Sequence, residues 1–455
     1  MIDRAVAHWH GLLAPDVERS PAFCDAFAER LRAARLAFGG RPLCPFLRPL
    51  FVGEAEVARA RQVAEAVARM GERFVAAAAA DASLLDEVAL TDAERRLAAI
   101  DPGYATASTA SRLDAFLLPG AVVCAEYNAE SPAGAAYSET LAGAFEALDV
   151  MARFRERFRV RAFPLIDPLL DALLASYREW GGTASPPVVA IVDWREVPTW
   201  TEFEILQTRF EARGVTTVLC DPRELVFDGR SLAAFGRRID LVYRRVLVND
   251  IVERADECAA LVGAIAARAT CVANTFRCKI PHKKAFFAVL TDDRFARLFD
   301  PADLAAIAGA VPWTRLVREG KVRREGGDVD LAAWVRGHRE RLVLKPNDEY
   351  GGAGVTLGWE TTAGAWDAAL EHALAVSAGR PWIVQERVAV RREPFPRFEP
   401  GRGAAIADML VDSAPYLFRG RFAGFLTRLS ATGLANVTSG GGQVPAFVVR
   451  EKQHP

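Results

Sequence analysis

The run Leu342-Val343-Leu344-Lys345-Pro346-Asn347-Asp348-Glu349-Tyr350-Gly351-Gly352-Ala353-Gly354-Val355 has residue types that handle phosphate. An apolar strand delivers Lys345, and a loop with three glycines follows. Glycines let backbone N–H groups approach phosphate oxygens closely, and a lysine adds a point charge. The spacing is not that of the G-x-x-x-x-G-K-[ST] loop, and a β-hairpin with a glycine turn accounts for the same residues. Downstream, Pro381-Trp382-Ile383-Val384-Gln385-Glu386 reads as a strand. Its Gln385-Glu386 end offers backbone groups and a carboxylate to an adenine and ribose, although such strands also serve simply as core. A third group lies far upstream, in Cys124-Ala125-Glu126-Tyr127-Asn128. Alternate residues of a strand share a face, so Glu126 and Asn128 present two oxygen ligands side by side, which suits hard Mg2+. The alternative is a strand end capping the turn at Ser131-Pro132.

The elements that must hold these residues follow from hydrophobic spacing. Residues 16–100 read as helical, with apolar residues three and four apart in an Ala-, Leu-, Arg- and Glu-rich background. Pro119-Gly120 is a turn, Ala121–Ala125 a buried strand, and a helix starts near Ser138. Residues 187–250 alternate strand and helix: a strand to Val192, a helix from Thr201 to Arg213 stopped by Gly214, then strands at Thr217–Cys220 and Ile239–Tyr243. That alternation predicts a small parallel α/β unit. Lys283 to Leu290 begins a helix, and Arg318 to Asp328 reads as an exposed connection. Strands are also expected near Tyr416–Phe418 and Phe422–Leu426.

Composition narrows the class. The chain has 455 residues, 51% of them hydrophobic and 25% charged, with a formal net charge of −1. This fits a globular protein with a large core and calls for neither nucleic acid nor an anionic membrane surface. No basic-then-apolar leader and no long uncharged apolar run is seen, so a cytoplasmic protein is expected. The seven cysteines are scattered and never spaced CxxC, which argues for reduced thiols. The six histidines are equally dispersed, so a transition-metal centre is not expected.

Taken together, these segments resemble ATP-grasp ligases. KPNDEYGGAGV is similar to their glycine loop, Lys283 to their first nucleotide lysine, Val311-Pro312-Trp313-Thr314 to the short strand after it, and Gln385-Glu386 to their adenine hinge. In most such enzymes the Glu-x-Asn strand comes last; here it stands at 126 and 128. That order resembles the circularly permuted branch of eukaryotic-type glutathione synthetases, with glutathionylspermidine synthetases as looser relatives. Ser111-Arg112-Leu113-Asp114 resembles their Arg-x-Asp segment, Ser131 a substrate-contacting serine, Glu349 a magnesium-binding glutamate, and Tyr243-Arg244-Arg245 a strand ending in a substrate arginine. Thr427-Arg428 through Gly440-Gly441-Gly442 resembles the substrate arginine and its closing loop. Three features depart: Ser430 stands where the family has a lysine, Gln443-Val444-Pro445 where it has small residues, and the helical N-terminal region does not match the family.

The resemblance implies an α/β (α+β) fold: a circularly permuted ATP-grasp core with a small parallel α/β substrate domain and a helical N-terminal region. Its parts are a helical region at 1–110, the permuted metal-binding strand and helices at 111–185, the substrate domain at 186–270, and the nucleotide-binding region at 271–455. It implies ATP and Mg2+ as cofactors and a carboxylate–amine ligation through an acyl phosphate. Lys283, Lys345, Gly351, Gly352, Gln385 and Glu386 would hold the nucleotide, and Glu126, Asn128 and Glu349 the metal. Ser131, Arg245 and Arg428 would bind substrate, with Arg112 and Arg428 beside the reacting groups. The glycine loops at 351–354 and 440–442 would close as lids. The partners are a small carboxylate and an amine (amino acid, peptide or polyamine), with no nucleic acid and no membrane. The sequence does not fix the oligomeric state and admits a homodimer. A non-catalytic nucleotide-binding protein and a small-molecule kinase stay open on the same fold. A dikinase would need a phosphate-carrying histidine, and His282 reads more simply as a helix cap.

Overall fold

The computed structural model describes residues 1–13, 19–38, 41–324, 326–349, 351–399, 401–432 and 441–452. Its largest sheet is antiparallel. Gly442–Val444, Arg421–Ser430, Gly403–Phe418, Ala110–Leu118 and Ala121–Asn128 lie side by side in that order, and Arg391–Glu399 also pairs with Gly403–Phe418. The Glu126–Asn128 strand therefore does join C-terminal strands. Its neighbour Ala110–Leu118 makes the connection, with Tyr416 opposite Arg112 and Asp114 opposite Glu126. No alternation marks that strand in the sequence, because Ala110–Leu117 is buried throughout. A strand covered on both faces lacks the alternation that marks one. Gly120, at φ 77°, makes the tight turn into Ala121–Asn128.

A smaller antiparallel sheet faces the first across a cleft. Its order is Thr314–Leu316, Trp382–Glu386, Leu342–Pro346 and Thr356–Leu357. The parallel unit expected over 187–250 is present, in the order Cys271–Ala273, Leu241–Arg244, Val189–Val192 and Thr217–Cys220. Val189–Val192 is buried at every residue, as a strand covered by helices on both faces must be.

The N-terminal region contains the helices Ile2–Leu12, Pro21–Ala33 and Glu54–Ala80. It also supplies the strand Leu50–Val52, which pairs with Ala446–Glu451 in a three-stranded sheet completed by Phe158–Arg161. One apolar core runs from Trp9 and Phe51 through Phe154 to Phe425 and Val449. The Glu54–Ala80 helix lies against the large sheet and steadies the strands that carry the candidate site.

Two expectations are corrected. Arg318–Asp328 is not merely a connection, since Lys321–Arg324 and Gly327–Asp330 pair as a hairpin. The helix expected from Lys283 is broken into Lys279–His282 and Phe286–Leu290, and Lys283 between them has an extended ψ of 133°. Among the described residues no helix is long and apolar enough to cross a membrane.

Candidate active site

On the small-sheet wall, Lys345 stands at the end of Leu342–Pro346. Its Nζ donates to Gln385 Oε1 at 2.7 Å and to the Ala125 carbonyl at 3.3 Å. Burial lowers its pKa to about 8, with Glu126 opposing that fall. Gln385 in turn donates to Thr314 Oγ1 at 3.0 Å, so its side chain orients the lysine. The Glu386 carboxylate pairs with Arg324 of the hairpin and lies 3.6 Å from Arg341. Its backbone N–H donates to the Trp313 carbonyl at 2.9 Å. Gly351 and Gly352, at φ 66° and 78°, line the cleft together with Glu349. A Cβ at Gly354 would stand 2.7 Å from Pro346 Cγ, so this loop needs glycine for space as well as for φ.

The opposite wall belongs to the large sheet. Asp114, Glu126, Asp412 and Arg428 line the same cleft. Arg428 bridges two carboxylates: Nη2 donates to Asp114 at 2.5 Å and Nε to Asp412 Oδ2 at 2.6 Å. Arg112 Nε donates to the other Asp114 oxygen at 2.8 Å, and its Nη1 to the Ala133 carbonyl at 3.0 Å. Burial alone would raise Asp114, but Arg112 and Arg428 hold it far below the usual carboxylate range. Asp412 goes the other way. Burial, aided by the neighbouring Asp114, outweighs Arg428 and lifts it to about 6. Glu126 is also pushed up by burial, yet Lys284 at 3.4 Å and Lys345 bring it below its ordinary value.

Not every expected residue reaches the cleft. Lys283 is buried and donates to Glu94 at 2.6 Å and to Asp348. It is Lys284 that lines the cleft beside Glu126. The break in the helix explains the slip, because adjacent residues of an extended segment point opposite ways. Asn128 Nδ2 donates to Glu126 Oε1 at 3.3 Å. Ser131 Oγ donates to the Arg244 carbonyl at 3.1 Å, and Arg245 Nη1 donates to the Pro132 carbonyl at 2.8 Å and the Tyr243 hydroxyl at 3.1 Å. Ser131 and Arg245 thus meet where the parallel sheet abuts the loop after Asn128, outside the residues that line the cleft. His282 is held neutral, its pKa lowered to about 4 by burial and then by Lys279. Gly440 lies outside the described residues, whereas Gly441 and Gly442 lead into the edge strand of the large sheet.

Asp412 and Lys284 were missed by sequence reasoning. Asp412 had no local signal, since its partner Arg428 lies across a hairpin. Asp114 was visible as the second member of Arg-x-Asp, on the same strand face as Arg112. Among the described residues, no three His, Cys, Asp or Glu side chains are already gathered in a metal-holding group.

The fold has a counterpart among solved structures. A glutathione-synthetase-like effector from Globodera pallida, in its apo form, superposes with a TM-score of 0.60 at 12% identity, covering 94% of this chain and 96% of that one. The chain shares its fold with that effector. A proposed γ-glutamylcysteine synthetase from Methylobacillus flagellatus aligns with a TM-score of 0.39 at 11% identity, over 72% of this chain and 76% of that one. In sequence, a proposed glutamate–cysteine ligase 2-2 of Frankia casuarinae is 24% identical over 341 residues, which is 71% of this chain. The chain spans only 36% of that relative's length. No family model matches the chain.

Proposed function

We propose that the protein is an ATP-grasp carboxylate–amine ligase that uses ATP and Mg2+ and belongs to the permuted, glutathione-synthetase-like branch. The observation that supports it best is the single cleft between two sheets. One wall offers Lys345, the glycine loop and the Gln385-Glu386 edge; the other offers Glu126, Asp114, Asp412 and Arg428. The sequence relative and the shared fold point the same way.

The donor set suits the expected cofactors. Glu126 and Asn128 are hard oxygen donors on one strand face, Glu349 stands in the cleft, and no thiol or imidazole is among the described lining residues. Bound ATP with Mg2+ would supply the phosphoryl group that activates the acid. Lys345 and Lys284 neutralise phosphate charge, so that an anionic carboxylate can approach. The positive-φ loop at Gly351–Gly352 lines the cleft and, on closing, would carry Glu349 toward Glu126. Arg428, held between Asp114 and Asp412, has its fork fixed and stabilises negative charge that develops on the substrate. Ser131 and Arg245 form the more distant substrate contact, where the Arg245 guanidinium is held by the Pro132 carbonyl and the Tyr243 hydroxyl with Glu202 and Asp193 nearby. A closed glycine loop keeps water from an acyl phosphate.

The deciding experiment is a phosphate-release screen with ATP and Mg2+ over amino acids, dipeptides and polyamines. The expected result is release that requires both an acid and an amine, with an amide product. Nucleotide-induced stabilisation without release under any pair would favour a binding protein. Phosphorylated product with one substrate alone would favour a kinase.

A further inference from the structure

Six ionisable side chains outside the substrate contacts form an alternating chain. Arg244 Nη1 lies 3.0 Å from Glu130 Oε1, and Glu130 Oε2 lies 3.2 Å from Lys279 Nζ. Lys279 reaches Asp348 Oδ1 at 2.7 Å, Asp348 is also bound by Lys283, and Lys283 ends on Glu94 Oε1 at 2.6 Å. Glu130 and Arg244 are fully buried and Lys279 is 1% exposed. The chain gathers five distant segments: the helix Asp92–Ala98, the loop leaving Ala121–Asn128, the end of Leu241–Arg244, the broken helix, and the start of the glycine loop.

Two facts argue for more than stability. Buried ion pairs are costly to desolvate, and apolar replacements of both partners often do no harm, so six paired charges are a poor way to hold a core. Second, four members each adjoin a residue assigned to the site: Glu130 precedes Ser131, Arg244 precedes Arg245, Lys283 precedes Lys284, and Asp348 precedes Glu349. Glu130 also accepts the Val248 N–H at 2.5 Å, and Arg244 donates to the Asn274 and Val246 carbonyls at 3.1 and 2.6 Å. Each of these four is one peptide unit from a group that must sit correctly, and Lys279 joins two of them, Glu130 and Asp348.

We propose that Glu130, Lys279 and Asp348 are positioning residues, and that this chain sets the glycine loop relative to the Ser131–Arg245 substrate contact. The role in turnover rests on the ligase reading; the effect on loop geometry does not. None of the three touches the cleft's reacting groups. They act through Ser131, Lys284 and Glu349.

The test uses full-length protein with two exchanges. Lys279→Met breaks the chain and leaves carboxylates short of a partner. The double variant Lys279→Met/Glu130→Gln removes one charge of each sign and keeps a folded reference if the single variant does not fold. In the folded variant, hydrogen exchange over residues 347–355 should speed up about tenfold or more without nucleotide, while residues 410–418 stay at the wild-type rate. The Kd for Mg·ATP should rise about tenfold, and Lys279→Arg should bring it back to within about threefold. A merely structural lysine would shift both regions together and give no selective rescue. Unchanged exchange at 347–355 in a folded double variant overturns the proposal, and so does uniform acceleration across the sheet. If wild-type protein fails to bind Mg·ATP, the ligase reading falls; the nucleotide-free exchange still judges the positioning chain.

Discussion

Burial against Gln385 and Ala125 makes the Lys345 ammonium sensitive to pH. Its pKa of about 8 lies below the ordinary 10.5. The unfolded chain therefore binds the proton more tightly than the folded one between those values, and the folded state gains stability from this group as pH rises through that window. Nucleotide affinity should run the opposite way, because the charge that neutralises phosphate is lost above about 8. Isothermal titration at pH 7.5 and 9.5 should show Mg·ATP binding weakened about tenfold at the higher pH, with little change in Lys345→Arg. At neutral pH, Lys345→Ala should abolish most of the nucleotide's thermal stabilisation, which for wild type is about 2.7 kcal/mol at a hundredfold excess over Kd. Glu349→Gln should lower kcat far more than it weakens ATP binding, since a metal carboxylate matters most as charge moves onto the leaving phosphate. Arg428 has a second duty that its place in the sequence did not disclose. Arg428→Ala strands Asp412 and leaves Asp114 to Arg112 alone, and urea unfolding should register a loss of roughly 3–5 kcal/mol. Arg428→Lys is therefore the better probe of its effect on substrate KM. Residue types were legible because phosphate and carboxylate chemistry uses so few of them. Which of Lys283 and Lys284 faces the cleft was not, because it depends on a three-residue break between two helices.

At the scale of elements, Arg324 ties the Lys321–Arg324 and Gly327–Asp330 hairpin to the end of the Trp382–Glu386 strand. Arg324 pairs with Glu386 while its guanidinium carbon lies 4.9 Å from the Trp313 ring centroid and 5.1 Å from that of Trp334. Arg324→Ala should loosen the hairpin, so limited trypsin digestion should cut at Lys321 or Arg323 sooner while global unfolding changes by about 1 kcal/mol. The glycine loop invites a second test. Gly354→Ala should weaken Mg·ATP binding and leave the fold intact, because the added Cβ meets Pro346 in a loop at φ 71°. Equal affinity in that variant would show that the loop does not close on nucleotide. The strands Trp382–Glu386 and Val189–Val192 were readable from short apolar runs with turn residues nearby. Ala110–Leu118 was not, since complete burial erases the alternation that identifies a strand.

For the molecule as a whole, the N-terminal helices and the C-terminal strands share one core. Trp9 is fully buried, donates its indole N–H to the Leu47 carbonyl at 2.9 Å, and packs edge-on against Phe51 and Phe154. Trp9→Ala should cost roughly 3–5 kcal/mol, and should do so in one transition that also removes nucleotide binding, although Trp9 is not among the residues lining the cleft. Two separate transitions would mean that the N-terminal region folds apart from the site. The sequence by itself determined what is local. It showed the glycine loop and its lysine, the same-face pair Glu126 and Asn128, the parallel α/β alternation, and a composition that buries a large core. Local spacing encodes such features because side chains a few residues apart share a face or a turn. Only the tertiary structure decided that Ala110–Leu118 carries the Glu126 strand to Gly403–Phe418, that Arg428 is shared by Asp114 and Asp412, and that Lys284 lines the cleft while Lys283 pairs with Glu94 and Asp348. Each of these depends on which distant strand lies alongside or which way one broken turn points, and nearest-neighbour spacing does not record that.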